Sequence, residues 1–297
     1  MQAVGQYADC DFYPCHLTFA TPAAGILDCF LPAVRNLEIP YGKVAILASS
    51  WMPLYHLARE LRAGGIPSIG PGSRPYKRTH LISHLVEPIG AYLECHQPSV
   101  CIEVQRSLFS LVANLTGSLP PHIYDYKGRV TVCTLLAEAA TARRASDSAV
   151  DWINDIAGRF SEVLIETNLL TAAAAVALRA SAVEMVTDIR GRPGGNELTV
   201  EELGVFAMPE QCIQLMTVHK AKGREFDAVA LIDAHDGRFP HFSIENVQDE
   251  SEREAIYDES RRVVYVATTR AKRILMFFTD TSHGRNQPTP FLSEMGL

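Results

Sequence analysis

The 297-residue chain contains no uninterrupted run of about 18 apolar residues, the least that crosses a bilayer as a helix, so no membrane association is expected. The nearest approach, 163–186, is broken by Glu166, Asn168, Arg179 and Glu184. No basic segment precedes an apolar run near Met1, where Asp9 and Asp11 stand instead, and no secretory signal is expected. CxxC pairs are absent too. The seven cysteines (10, 15, 29, 95, 101, 133 and 212) are odd in number and scattered, whereas disulfide frameworks show even counts and zinc sites tight pairs. Buried or neutral thiols in a reducing compartment are expected, and a cytoplasmic location with them. An excess of positive charge is also missing: 27 Lys and Arg against 34 Asp and Glu leave a net −7. That sum disfavours a binder held to nucleic acid by phosphate neutralisation alone, although it is blind to local patches.

What is present is ordinary globular material. Hydrophobic residues at 47% and charged residues at 21% are enough apolar content to exclude bulk disorder. At roughly 100–200 residues per domain, the length suggests two domains. Residues 1–15 read as irregular. A strand is predicted at 16–20, then a helix opened by Thr21-Pro22 with Ile26, Leu27, Phe30, Leu31 and Val34 at helical spacing. The run VAILA at 44–48 is predicted to be a buried parallel strand. Leu54, Leu57, Ala58 and Leu61 form a helical stripe stopped by Gly64-Gly65, and 66–69 is a further strand.

The character changes near Gly70. Helices are predicted at 80–91, 99–115, 130–143, 150–165 and 169–189, closed by the breakers of 191–195. Strand signals return at 212–218, 227–234 and 273–279, with an acidic, loop-like stretch at 245–254 and a helix at 258–267. The economical organisation is one α/β domain, 16–72 plus 211–280, with a helical insertion between its halves.

Chemistry concentrates in two stretches. In 214–236 a strand ends near Met216, and Thr217, His219, Lys220, Lys222, Gly223, Arg224 and Glu225 follow within nine residues. Polar groups at the carboxyl end of a parallel strand face the crevice where α/β folds bind ligands. Two lysines and an arginine there suit an anion, and Gly223 permits a turn or a close approach. Composition alone favours a solvated strand–helix loop. In 261–273, Arg261, Arg262, Arg270, Lys272 and Arg273 stand with no acidic residue between. Arginine suits a transferring phosphoryl group because its planar fork donates bidentately and stays charged, yet an Arg-rich helix is also a common solvated face.

Together the two stretches are specific. MTVHKAKGREFD (216–227) resembles motif V of UvrD/Rep-type superfamily-one DNA helicases, and YVATTRAK (265–272), preceded by an acidic loop and ESRR, resembles their motif VI. The segment 44–68 resembles the motif IV strand and helix more loosely. The resemblance implies an α/β fold: a RecA-like parallel-sheet domain, 1–72 and 211–297, interrupted by a mainly helical inserted subdomain, 73–210. It implies the C-terminal half of an ATP-dependent DNA helicase, acting with an N-terminal RecA-like ATPase domain of the same protein. By that resemblance, Arg270 is the catalytic arginine that reaches the γ-phosphate of ATP. Gly223 and Glu225 lie beside the nucleotide, with Glu225 accepting from the ribose hydroxyl. Thr217 and His219, together with Ser49 and Ser50, face single-stranded DNA. Tyr265 and Thr269 support Arg270 or the DNA side, and Lys222 is structural or interfacial.

Two departures stand out. Ser49 occupies the place where motif IV usually carries a second arginine for the γ-phosphate, and Arg59 lies a turn or more too far along to replace it. No G-x-x-x-x-G-K-[ST] loop exists, since the one Gly-Lys pair, Gly42-Lys43, is followed by Val44. Asp258-Glu259 is not a Walker B pair. The ATP cradle and the Mg²⁺ carboxylate are therefore expected from the other half, and this chain alone is expected to be inactive. The alternative is a non-catalytic DNA-binding or scaffold module descended from a helicase.

Three lesser features have two readings each. His80, His84 and Glu87 could share a helix face, but lack metalloprotease order, so a plain helix surface is favoured over a metal site and no metal ligand is assigned. Arg74, Lys77 and Arg78 are candidates for contact with a duplex junction, or a solvated turn. Trp51 is either a base-stacking side chain or a partly buried structural indole, the second being favoured.

Overall fold

The computed structural model describes residues 14–281 and 287–297. Cys10 and most of the irregular stretch predicted for 1–15 lie outside them. In chain order the elements are β1 (Cys15–Phe19), α1 (Pro22–Gly25), a π-helical turn (Ile26–Phe30), α2 (Leu31–Asn36), β2 (Val44–Ala48), α3 (Trp51–Ala63) and β3 (Ser68–Ile69). Next come α4 (Ser83–Cys95), α5 (Pro98–Thr116), α6 (Tyr126–Ala145), α7 (Ala149–Glu166), α8 (Ala172–Arg190) and α9 (Val200–Val205). The chain closes with β4 (Ile213–Thr217), β5 (Phe226–Leu231), α10 (Glu250–Thr268), β6 (Ala271–Asp280) and α11 (Pro290–Glu294). No described helix is long and apolar enough to cross a membrane.

The six strands form one sheet in the order β1-β6-β5-β2-β4-β3, every pairing parallel. VAILA shows why its strand is central. Side chains alternate across a strand, so Val44, Ile46 and Ala48 pack on one face with α3, while Ala45 and Leu47 pack on the other with α10. Both faces are covered, which leaves no polar position in the run. On the first face Ile26, Phe30, Leu31 and Val34 join Leu54, Leu57, Ala58 and Leu61 of α3. On the second, Val264 and Ala267 of α10 join Phe291 and Leu292 of α11.

The predicted acidic loop at 245–254 is partly helix, since α10 begins at Glu250. The carboxylate of Asp249 accepts from the amides of Ser251 and Glu252, and Glu250 and Glu252 sit where the helix dipole favours negative charge. Clustered acids here mark a helix start. Local capping also explains α7, α8 and α9: Ser148, Thr171 and Thr199 each accept an amide hydrogen bond, and Thr199 with Glu202 completes a capping box.

The chain divides into two compact units, one of 1–73 and 209–297, the other Arg74–Met208. The second is helical around Trp152, Phe160, Leu178 and Met185. In it α4 and α9 meet at backbone distance: a Cβ on Gly204 would lie 2.4 Å from the amide nitrogen of Ala91, so only glycine fits. Arg74 is not a solvated turn residue. Its guanidinium forks onto Glu87 at 2.8 and 3.1 Å and donates to the Phe206 carbonyl at 3.1 Å, while the Tyr76 hydroxyl donates to Glu87 at 2.9 Å. His80 Nε2 lies 2.8 Å from Asp188, and His84 is exposed. His80, His84 and Glu87 thus do not converge.

Candidate functional site

The connection from β4 to β5 sets the geometry of both motif-bearing stretches. Ala48 of β2 pairs with Thr217 at the carboxyl end of β4, and Val44 pairs with Ala228 near the start of β5. Residues 218–225 must therefore travel back along the sheet, from its carboxyl edge to its amino edge. They do so as a 3₁₀ turn, Val218–Ala221, followed by a turn at Lys222-Gly223 in which Gly223 is left-handed. Val218 and Ala221 are buried in the same cluster as Val264 and Ala267 of α10, which anchors the crossing. The sequence reading placed this whole segment at a strand's carboxyl end. Only its first residues are there.

At the carboxyl edge, Thr217 ends β4 beside Ser49 and Ser50, which follow β2. Among the described residues the hydroxyls of Thr217 and Ser50, the ring of exposed His219 and the ammonium of exposed Lys220 make no hydrogen bond or ion pair. Ser49 differs. Its amide donates to Asp233 Oδ1 at 3.2 Å and its hydroxyl to Oδ2 at 2.5 Å. Asp233 is 3% exposed and has φ of 53°, a left-handed conformation in which Asp and Asn are the least disfavoured residues after glycine. Asp233 was not anticipated as a site residue. Its signal was a carboxylate directly after a buried apolar strand, where it has to find a partner at the edge.

Burial pushes the Asp233 carboxyl up to about 7, the Ser49 hydroxyl and amide pull it down, and the nearby Asp280 adds to the rise. A carboxyl raised above its ordinary 3.8 keeps in the fold a proton that the unfolded chain has lost between about pH 4 and 7. Its contribution to stability is therefore present below that window, falls as pH rises through it, and levels off above about 7. Asp233→Asn keeps an acceptor for Ser49 and removes the charge. We expect the variant's denaturation midpoint, relative to the parent's, to be higher at pH 8 than at pH 5, and the two proteins to converge below about pH 4. An equal difference at both pH values would show that Asp233 does not titrate there.

At the amino edge, Phe226 pairs with Ala271, and this brings Gly223, Arg224 and Glu225 beside Arg270 and Lys272. Arg270 follows the last turn of α10. Its Nε donates to the Val266 carbonyl at 3.1 Å, Nη1 to the Arg224 carbonyl at 3.0 Å and Nη2 to the Thr269 hydroxyl at 3.0 Å. Among the described residues it makes no ion pair. A guanidinium has five N–H donors, so two remain for an anion. Glu225 is ion-paired to Lys272 at 2.8 Å, and that hydrogen bond and charge, with Arg270 nearby, hold its carboxyl below the ordinary value. Gly223 has φ of 78° with open space where a side chain would be, so it is required for its conformation and not for room.

The basic strip of 261–273 is mostly neutralised within the fold. Arg261 pairs with Asp258 and Glu294, Arg262 lies 3.9 Å from Glu259, and Lys272 is held by Glu225. Among the described residues this leaves Arg270 and Arg273 without an ion pair, and Arg273 donates instead to the Leu37 carbonyl at 3.4 Å. The Arg270 edge also lies far from Ser49. Phe226 to Ala228 is two steps along the chain and Val44 to Ser49 five, and seven steps of ~3.3 Å make about 23 Å along the strands.

Residues 152–282 match the family described as UvrD-like helicase C-terminal domain. The chain is similar to the putative ATP-dependent DNA helicase YjcD of Bacillus subtilis, 46% identical over 67 residues that make up 22% of this chain and 9% of that protein. It is also similar to the ATP-dependent DNA helicase PcrA of Staphylococcus aureus, 38% identical over 92 residues, 29% of this chain and 12% of that protein. PcrA of Staphylococcus epidermidis is 38% identical over 89 residues, 28% and 12% of the two chains. The aligned stretches thus span about a tenth of the length of these curated relatives. Two motifs in order, a parallel α/β sheet beneath them and these matches make the chain similar to the C-terminal region of UvrD-like superfamily-one helicases, with a sheet of the kind a RecA-like fold has.

Proposed function

We propose that this chain is the C-terminal part of an ATP-dependent DNA helicase and translocase, completing a nucleotide site with Arg270 and carrying part of the single-stranded DNA track. The observation that supports this most is the state of Arg270. It is anchored by three neutral acceptors, makes no ion pair among the described residues although the Glu225 carboxylate is near enough to feel its charge, and has two donors left at an accessible edge. ATP fits such an edge: a fixed cation meets the terminal phosphate, and Glu225, ionised and half exposed, accepts from a ribose hydroxyl. Bound ATP supplies the phosphoanhydride whose cleavage drives the cycle. Arg270 offsets the charge that builds on the equatorial oxygens during transfer, a contribution confined to the transition state. Gly223 lets the backbone turn past the nucleotide. The phosphate-cradling loop and the Mg²⁺ site are assigned to an N-terminal RecA-like ATPase domain of the same protein.

The carboxyl edge is the DNA side. Thr217, His219 and Ser50 offer donors to backbone phosphates, which positions a strand without reading its sequence. Ser49, already committed to Asp233, holds that edge in shape. The helical unit, Arg74–Met208, is the inserted subdomain, with exposed Lys77 and Arg78 as candidate contacts for a duplex junction. The location is cytoplasmic. The scaffold reading leaned on Ser49 replacing an arginine. Ser49 is instead held by Asp233, and the intact Thr-Arg-Ala at 269–271 speaks against that reading.

The 297-residue chain alone should hydrolyse no ATP, with or without DNA. Joined to its ATPase domain, it should hydrolyse ATP faster when single-stranded DNA is added. Turnover by the chain alone in a phosphate-release assay would sink this reading.

A further inference from the structure

The two tryptophans have opposite environments. Trp152 is fully buried in the helical unit, and its indole N–H donates to the Ala139 carbonyl at 2.9 Å. Trp51, the first residue of α3, is 56% exposed and the next residue, Met52, 51% exposed. Among the described residues the Trp51 indole makes no hydrogen bond and no ring contact. The partly buried structural indole favoured from sequence for Trp51 therefore does not describe a side chain this exposed. A large aromatic face left in water forfeits the burial that aromatic side chains normally contribute.

We propose that Trp51 is a base-stacking platform on the single-stranded DNA track, an inference that rests on the DNA-side reading of the carboxyl edge. The position is rigid. Leu54, Leu57, Ala58 and Leu61 bury the inner face of α3 against the sheet, and the preceding strand is buried throughout. An aromatic ring carried on such an element is presented at a fixed place. The neighbours have the complementary chemistry. Ala48, three residues before Trp51, pairs with Thr217, so α3 begins at the edge of the sheet that also carries Ser50, Thr217, His219 and Lys220. These are hydroxyl, imidazole and ammonium groups without partners among the described residues. Donors for phosphate beside a bare π face are the two halves of sequence-tolerant single-strand binding. That surrounding charge favours a nucleobase over an apolar protein partner. It also separates the roles of adjacent residues: Ser49 braces the edge, Ser50 donates, and Trp51 stacks.

The contrast between the two indoles supplies the test, because Trp51 and Trp152 are the only tryptophans in the chain. The 297-residue chain is titrated with oligothymidylate at low salt while tryptophan emission and acrylamide accessibility are followed. Quenching and protection should be confined to the exposed indole, surviving in Trp152→Phe and vanishing in Trp51→Phe. Trp51→Ala should weaken binding about five- to 150-fold, while Trp51→Phe, which keeps a π face, retains most of the affinity. If DNA binds, Thr217→Val with His219→Ala weakens it, and Trp51→Ala changes nothing, the platform is overturned and the track stands. If DNA binds but neither set of changes matters, the binding lies elsewhere and both fall. No binding to any oligonucleotide overturns both as well.

Discussion

On the function proposed above, replacing Arg270 with alanine in the full-length protein should lower kcat for DNA-stimulated ATP hydrolysis by about 10³–10⁵-fold, with single-stranded DNA affinity nearly unchanged. The magnitude follows from what a trans-acting arginine does. It meets charge that exists fully only in the transition state, in a site from which water is being excluded, so its loss falls on kcat more than on binding. Arg270 is suited to the task because its three internal hydrogen bonds fix the guanidinium before any ligand arrives, which removes a reorganisation cost. Those same bonds give the substitution a structural side. The Val266 and Arg224 carbonyls lose a donor, worth about 1 kcal/mol each at a part-exposed site where water substitutes. Arg270→Lys separates the two effects. It keeps a charge but cannot fork, so its turnover should stay well below the parent's. A tenfold or smaller drop in kcat for Arg270→Ala, measured at saturating ATP and DNA, would remove Arg270 from catalysis.

Glu87→Ala should destabilise the helical unit by about 3–5 kcal/mol, because it strips the partner from a buried charge. Burial pulls the Arg74 guanidinium down, yet the hydrogen bonds and charge of Glu87 outweigh it and leave the group above its usual value. Tyr76, fully enclosed and beside the carboxylate, is raised well above its own, so it serves only as a neutral donor. The side chains of Arg74 and Glu87 are 17% and 8% exposed, and water cannot replace the lost acceptor well. The cost is that of an orphaned charge, not the worth of the pair. Replacing all three polar groups together (Arg74→Met, Tyr76→Phe and Glu87→Leu) should therefore cost less than Glu87→Ala alone. Chemical denaturation followed at Trp152, which reports on the same unit, checks both. A single variant no less stable than the triple would mean the network is not desolvated in solution.

Much of the fold was legible along the chain because its signals are local. VAILA, DAVALIDA and RILMFFT are apolar over the length of a strand, and each becomes one. The stripes at 54–61 and 150–165 have helical period and become α3 and α7. The acidic run before α10 was misread as a loop, since clustered Asp and Glu suit both solvent and a helix N-terminus, and only the cap of Asp249 decides. The motif strings, too, are contiguous and could be matched without coordinates.

The contents of the two edges were not legible. Ser49 and Asp233 lie 184 residues apart in sequence, and Arg270 and Arg224 are 46 apart. Whether such groups meet depends on strand order and register, which hydrophobic periodicity does not encode. A period-2 pattern says which face a side chain takes, and a helical stripe says which side is buried; neither says which strand lies next door. By itself the sequence determined the α/β class, the helical insert, the two motifs and the missing phosphate loop. The tertiary structure alone decided that 218–225 returns across the sheet, parting Thr217 and His219 from Gly223, Glu225 and Arg270. It also decided that Arg270 and Arg273, out of five basic neighbours, keep free donors and no ion pair among the described residues, because pairing is a matter of distance and desolvation between residues that folding brings together.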